Sequence, residues 1–146
     1  MNDFDNALKD LGIVINNESD IEYLTIAYSL RASIYGNNGR FIEALSDIEN
    51  SLKLNPNDVN TIYNKARLQI VQKKYKEGII TLEIVESIYK KQKLNIPVLI
   101  SSIHYMKGVC RYSLKEDNFC VDFNKALVFI NFLDKNQVDF INNVCE

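Results

Sequence analysis

Few residues of this chain could carry acid–base, nucleophilic or metal chemistry. There is one histidine, His104, and there are three cysteines, Cys110, Cys120 and Cys145. His104 and Cys110 are six positions apart, so a helix would place them on nearly opposite faces and a catalytic Cys–His pair could not form. The cysteines form no CxxC pair, and their spacing matches no metal site. We therefore predict no enzymatic activity, no catalytic residue, no metal site and no cofactor.

The odd number of cysteines also bears on the cellular compartment. It favours reduced thiols over a disulfide framework, and hence a cytoplasmic protein. The first residues lack a basic stretch followed by an apolar one, so no signal peptide is expected. No stretch approaches about 18 uninterrupted apolar residues, so we expect no membrane-spanning segment.

The composition narrows the fold class. The 146 residues suffice for one domain, and 17 basic against 19 acidic residues give a net charge of −2. That balance argues against a protein that binds duplex nucleic acid, which normally shows a basic stripe. Five glycines and two prolines are too few for a β-sandwich or barrel, whose turns use these residues often. An all-α fold is expected.

A 34-residue unit stands out between residues 25 and 58. It contains two amphipathic stretches, 25–37 and 41–54, joined at a turn with two glycines, and Pro56 ends the second stretch. Small residues recur where two helices must approach closely, and large residues lie between them at helical spacing. These residues are Tyr28, Ala32, Tyr35, Ala44, Ile48 and Ser51.

This pattern resembles the tetratricopeptide repeat (TPR), which has a period of about 34 residues. A second, weaker unit follows in phase over residues 59–91, and a third unit of uncertain register covers 97–130. Residues 1–20 and 134–146 resemble terminal capping helices. The resemblance implies a single all-α domain: a right-handed α-solenoid of about three helix–turn–helix units.

The resemblance also implies a binding surface. In TPR arrays the first helices of successive units line a concave groove, in which a partner's peptide or helix binds. Tyrosine supplies rigid contact area, asparagine can hold a peptide backbone, and arginine can take a carboxylate. The groove positions that we select here are Ser29, Ser33, Asn37, Asn60, Tyr63, Asn64, Arg67 and Tyr105.

Two further features of the sequence concern charged residues. The carboxylate clamp of chaperone-binding TPR domains is not matched, because only Asn64 fits its pattern while Ser29 and Ser33 do not. Arg31, Lys65 and Lys107 all occupy position 7 of their units. We expect their stems to pack between helices while their charges reach solvent, and acidic residues such as Asp47 to lie on solvated faces.

The function that follows is a protein–protein interaction module: an adaptor, scaffold or co-chaperone-like protein with an unidentified partner, and with neither nucleic acid nor membrane as ligand. One alternative is a self-associating module or a fragment of a longer TPR array. Another is a secretion-type chaperone. Self-association would produce a homodimer through the apolar residues near the C-terminus, which are Val128, Phe129, Ile130, Phe132 and Phe140.

Overall fold

The computed structural model describes residues 3–145, and in that range the chain is all-helical. It has eight α-helices, one short 3₁₀ helix at Ile130–Phe132 and no strand among these residues, which confirms the predicted all-α class. None of the described helices is long and apolar enough to cross a membrane. The helices are α1 (Asp3–Asn17), α2 (Ile21–Asn37), α3 (Phe41–Leu54), α4 (Val59–Val71), α5 (Tyr75–Lys91), α6 (Pro97–Ser113), α7 (Phe119–Leu127) and α8 (Lys135–Cys145).

The chain divides into two compact units. The first ends at Leu68 and the second begins at Gln69, so the boundary falls within α4. The first unit therefore contains α1 to α3 and most of α4, and the second contains α5 to α8.

The core of the first unit is built around the hairpin of α2 and α3. Ala32 and Ala44 are almost fully buried, and their small side chains let the two helices approach closely around Ile48 and Leu68. Gly39 turns the chain between the helices with φ of 75°, a conformation that glycine adopts without steric cost.

The helix α2 begins four residues before the predicted start at residue 25. The reason is a capping residue: the Asp20 side chain accepts hydrogen bonds from the backbone N–H groups of Glu22 and Tyr23, at 2.8 and 3.4 Å. These bonds satisfy donors that the first helical turn would otherwise leave unpaired.

The core of the second unit lies between α5, α6 and α7. Gly108 of α6 faces the fully buried Phe123 ring of α7 so closely that a Cβ atom at this position would lie less than 3 Å from the ring. Phe140 of α8 packs edge-on against Phe123, with ring centroids 5.8 Å apart, and against Tyr112 at 5.5 Å. This aromatic cluster fastens α8 to the rest of the unit, with Ile141 buried beside it.

The prediction of three reduced thiols was wrong for two of them. Cys120 of α7 and Cys145 at the end of α8 form a disulfide, whereas Cys110 is free and buried. The odd number of cysteines suggested free thiols. That prediction failed because the number does not reveal which cysteines the fold brings together. Burial raises the pKa of the Cys110 thiol to about 11, which keeps it protonated at neutral pH.

Candidate functional site

The first unit contains a concave pocket of about 230 Å³ on its α2 and α4 helices. Five of the predicted groove residues line it: Ser29, Ser33, Asn60, Tyr63 and Asn64. The remaining lining residues are Ile26, Leu30 and Asp58.

The spacing of these residues explains why they meet. Ile26, Ser29, Leu30 and Ser33 are separated by three or four positions along α2, and residues with that spacing share one face of a helix. Asn60, Tyr63 and Asn64 repeat the same spacing on α4. The pocket therefore lies where these two helical faces meet.

Asn64 is held in place by the unit itself. Its Nδ2 atom donates to the backbone oxygen of Ser29 at 3.2 Å and lies 3.3 Å from Ser29 Oγ. The Ser29 side chain lines the pocket but is only 4% exposed, so its main contact is with Asn64. The Asn64 amide keeps its carbonyl oxygen as an acceptor for a bound backbone N–H.

Three predicted groove residues lie outside this pocket. Arg67 Nη2 donates a hydrogen bond to Asn37 Oδ1 at 3.1 Å, so these two side chains contact each other outside the pocket. Tyr105 belongs to the second unit, where it is half-buried and its ring centroid lies 5.8 Å from that of Phe123. Burial raises the pKa of the Tyr105 hydroxyl. A role for Tyr105 in ligand binding stays a prediction.

A second pocket of about 540 Å³ shares Ile26, Asp58 and Asn60 with the first. Its other lining residues are Ile21, Glu22, Thr25, Leu54 and Asn55. Asp58 and Glu22 are not among the predicted groove residues. The signal for Asp58 was present, because an aspartate directly before a helical pattern is a typical N-cap residue.

Asp58 is the most firmly positioned acid of these pockets. Its Oδ1 atom accepts from the backbone N–H of Thr61 at 2.7 Å and from Thr61 Oγ1 at 2.6 Å. Thr61 Oγ1 in turn lies 2.7 Å from Ser51 Oγ, a buried contact that ties α3 to α4. The pockets thus combine a fixed carboxylate with amides and with the exposed apolar side chains of Ile26 and Leu30, which are 45% and 53% exposed.

The second unit places several charged residues in its interior. Asp122 of α7 is buried in contact with Arg111 of α6, its Oδ1 lies 4.0 Å from Lys107 Nζ, and that oxygen lies 3.6 Å from His104 Nδ1. Lys107 Nζ also donates to Glu86 Oε2 of α5 at 3.2 Å. We call these five residues the Asp122 network.

Two groups of the Asp122 network have shifted acidities. Burial lowers the pKa of His104, because desolvation disfavours the imidazolium form. Burial raises the pKa of Glu86, but the hydrogen bonds and charges of Lys90 and Lys107 outweigh this effect and lower it to about 2. The network thus surrounds a buried histidine with acidic and basic side chains. Among residues 3–145 no cluster of His, Cys, Asp and Glu side chains could hold a metal ion.

The prediction that the position-7 charges reach solvent was wrong for Arg31 and Lys107. Arg31 binds Asp47 of α3 with two hydrogen bonds of 2.7 Å, and the Asp47 side chain is only 4% exposed. That hydrogen bonding raises the pKa of Arg31. Asp47 was expected on a solvated face, but helix packing brings it opposite Arg31, where a bidentate pair compensates its burial.

The comparisons with known proteins agree with a TPR-type fold. The N-terminal domain of stress-induced protein-1 (STI-1) from C. elegans superposes with a TM-score of 0.71 at 16% identity, over 88% of this chain and 100% of that one. The structure described as MamA RS-1 ArsTM double mutant gives a TM-score of 0.66 at 22% identity, over 86% of this chain and 65% of that one. At such identities the likeness shows a shared fold, and no curated protein matches the chain.

Both of these structures are TPR domains, so the resemblance inferred from the sequence is confirmed. The fold is consistent with a protein–protein interaction module, and TPR-type folds are typically non-catalytic. Residues 1–85, more than half of the chain, match the model of a TPR-like family. The chain therefore belongs to the family described as anaphase-promoting complex, cyclosome, subunit 3.

Proposed function

We propose that this chain is a binding module that holds an extended peptide or a helix of a partner protein in the groove of its first unit. The groove is the surface formed by the two adjoining pockets on α2 and α4. One observation carries the proposal: five residues selected from the repeat register line one pocket together with two exposed apolar side chains. Protein ligands are commonly held by such a mixture of apolar contact and a few fixed polar groups.

The chemistry of the groove suits an unfolded segment of a partner. Tyr63 is half-buried and offers a ring face, while Ile26 and Leu30 offer apolar area that is now in water. Covering apolar surface contributes about 25 cal/mol per Å². Asn60 and Asn64 supply amide groups that can pair with a peptide backbone.

The cellular role that fits this chemistry is that of an adaptor or scaffold. The cytoplasmic location expected from reduced thiols loses that support, because Cys120 and Cys145 form a disulfide. A co-chaperone-like role fits less well. Asn64 matches the carboxylate clamp, but Ser29 and Ser33 do not, and no basic side chain lines either pocket. The partner is a protein in either role.

Selection from a random-peptide display library on the immobilised chain tests the proposal. We expect enriched peptides that bind the wild type, and about tenfold weaker binding to Tyr63→Ala because a central aromatic contact is lost. Tyr75→Ala is the matched control, since Tyr75 is a half-buried tyrosine of α5 that lines neither pocket. Equal binding of wild type and Tyr63→Ala would refute the proposal.

Self-association is a second candidate, supported by exposed apolar residues near the C-terminus. Val128, Ile130 and Phe132 are 74%, 48% and 47% exposed. Phe140, which was predicted to belong to this apolar surface, packs inside the aromatic cluster instead. Sedimentation over a concentration series tests this candidate: a dimer that is lost in Val128→Asp would support it, and a monomer at all concentrations would refute it.

A further inference from the structure

We infer that the groove selects peptides in which a lysine or arginine stands close to an apolar residue. This inference rests on the proposed function, and it adds the chemical class of the ligand. It comes from the charges that line the two pockets and from the way in which the unit holds them.

Acidic side chains line the groove, and basic ones do not. Asp58 belongs to both pockets and Glu22 to the larger one, while neither pocket has a lysine, arginine or histidine in its wall. A cationic side chain of a ligand would therefore meet one or two carboxylates and no like charge. An acidic side chain would meet repulsion, which works against binding at both pockets.

Asp58 is pre-organised to receive a cation. The two hydrogen bonds from Thr61 engage its Oδ1 atom and fix the carboxylate at the start of α4. Binding a cation there costs little additional ordering of the side chain. The capping role of Asp58 offsets part of its charge through the helix dipole, and Glu22 supplies a second carboxylate on the same surface.

The rest of the first unit reinforces this sign of charge. Up to Leu68 the chain has ten acidic and six basic residues. The ion pairs Arg31–Asp47 and Arg40–Glu43 take up equal numbers of both charges, so the excess of four acidic residues remains. A net negative unit attracts basic segments and speeds their encounter with the groove.

Ile26 offers a contact for the apolar residue of the ligand. This side chain lines both pockets and is 45% exposed, and Leu30 continues its surface one turn along α2. An apolar ligand side chain on Ile26 would bring a neighbouring lysine or arginine close to Asp58, since both residues line the same walls. The groove therefore favours a basic–apolar pair over an apolar segment alone.

The display selection tests this inference through the composition of the enriched peptides. We expect lysine and arginine to be enriched over aspartate and glutamate. A synthetic copy of one enriched peptide is then titrated with wild type and with Glu22→Gln/Asp58→Asn. Asparagine is as good an N-cap as aspartate, so the double variant removes charge and keeps the cap.

We expect the double variant to bind about fivefold more weakly, and its affinity to depend less on salt. Glu49→Gln is the matched control, because Glu49 is an exposed acid of α3 that lines neither pocket. If the double variant is misfolded by circular dichroism, Glu22→Gln alone and the salt dependence of the wild type give the same test.

The outcomes separate this inference from the proposed function. Enriched peptides that are acidic or neutral, and that lose affinity with Tyr63→Ala, would overturn the charge preference and leave peptide binding in place. Binding that Tyr63→Ala does not change would overturn the proposed function as well.

Discussion

The two units use their polar residues in opposite ways. In the first unit, amides and two carboxylates line open pockets, and one buried carboxylate, Asp47, is matched by one arginine. In the second unit, Asp122 is surrounded by Arg111, Lys107 and His104 in the interior. The same type of helical hairpin thus places polar side chains in open pockets in one unit and in the interior in the other.

Helix length offers a physical reason for the difference. The helix α3 has 14 residues, whereas α7, which packs against α6, has 9. The second unit has a salt-bridge network, an aromatic cluster and the Cys120–Cys145 disulfide around this short helix. We expect single substitutions at these cross-links to cost more stability than substitutions at the Arg31–Asp47 pair.

The largest expected effect comes from removing the two buried carboxylates in turn. Asp122→Ala removes a buried carboxylate that Arg111 and Lys107 share, and Lys107, whose side chain is 8% exposed, cannot turn to water, so we expect a loss of about 3–5 kcal/mol in the free energy of unfolding. Asp47→Ala frees Arg31, which is 21% exposed and can turn to water, so we expect a loss of about 1–2 kcal/mol.

Urea unfolding of the two variants measures the difference. Equal losses in both would contradict the contrast between a network with a buried lysine and a single pair whose arginine reaches water.

The disulfide is the next test. Its closed loop spans 25 residues in sequence, and loops of that size correspond to about 3 kcal/mol. Reduction of the wild type and the substitution Cys120→Ser should therefore lower the melting temperature by similar amounts. A reductant should leave the melting temperature of Cys120→Ser unchanged. A wild type whose melting temperature stays the same once its disulfide is reduced would show that the bond adds no stability.

Two helical glycines give a matched comparison of packing. In Gly108→Ala the new methyl group collides with the buried Phe123 ring, and we expect a loss of about 1–3 kcal/mol. In Gly36→Ala the methyl group meets Leu68 at 3.7 Å, an ordinary contact, so the better helix propensity of alanine should stabilise by up to about 1 kcal/mol. Thermal unfolding distinguishes the two, and a Gly108→Ala variant as stable as wild type would mean that α6 and α7 are less closely packed.

The smallest expected effect is a pH dependence that originates in the second unit. Because the pKa of His104 is lowered in the folded state, its contribution to stability is present above the ordinary value of 6.5 and is lost as the pH falls below it. The groups facing His104 are Asp122, Lys107 and Glu86, with Lys90 and Lys125 adding positive charge.

Urea midpoints at pH 7.5 and pH 6.0 measure this loss, with His104→Gln as the control. The same pH dependence in His104→Gln would assign it to another group.

Local sequence signals predicted much of the helical framework. Pro56 and the glycine turn set the limits of α3 at 41–54, Pro97 opens α6, and α5 ends at Lys91 as expected. The start of α2 was missed because the cap at Asp20 lies outside the repeat pattern.

The buried charges could not be read from the same signals. Whether Asp47 or Asp122 faces water depends on which helix packs against it, and an acidic residue on an amphipathic helix normally lies on the solvated face. The pairing of Cys120 with Cys145 likewise depends on the docking of α8. The pocket on α2 and α4 was predictable because units one and two follow in phase, whereas the longer connection before α6 leaves the register of Tyr105 open.

The affinity of one display-selected peptide for wild type, Tyr63→Ala and Tyr75→Ala tests the central claim most directly. The groove on α2 and α4 predicts about tenfold weaker binding for Tyr63→Ala and unchanged binding for Tyr75→Ala, with circular dichroism showing both variants folded. Wild-type affinity in Tyr63→Ala would contradict it and place the binding surface elsewhere on the molecule.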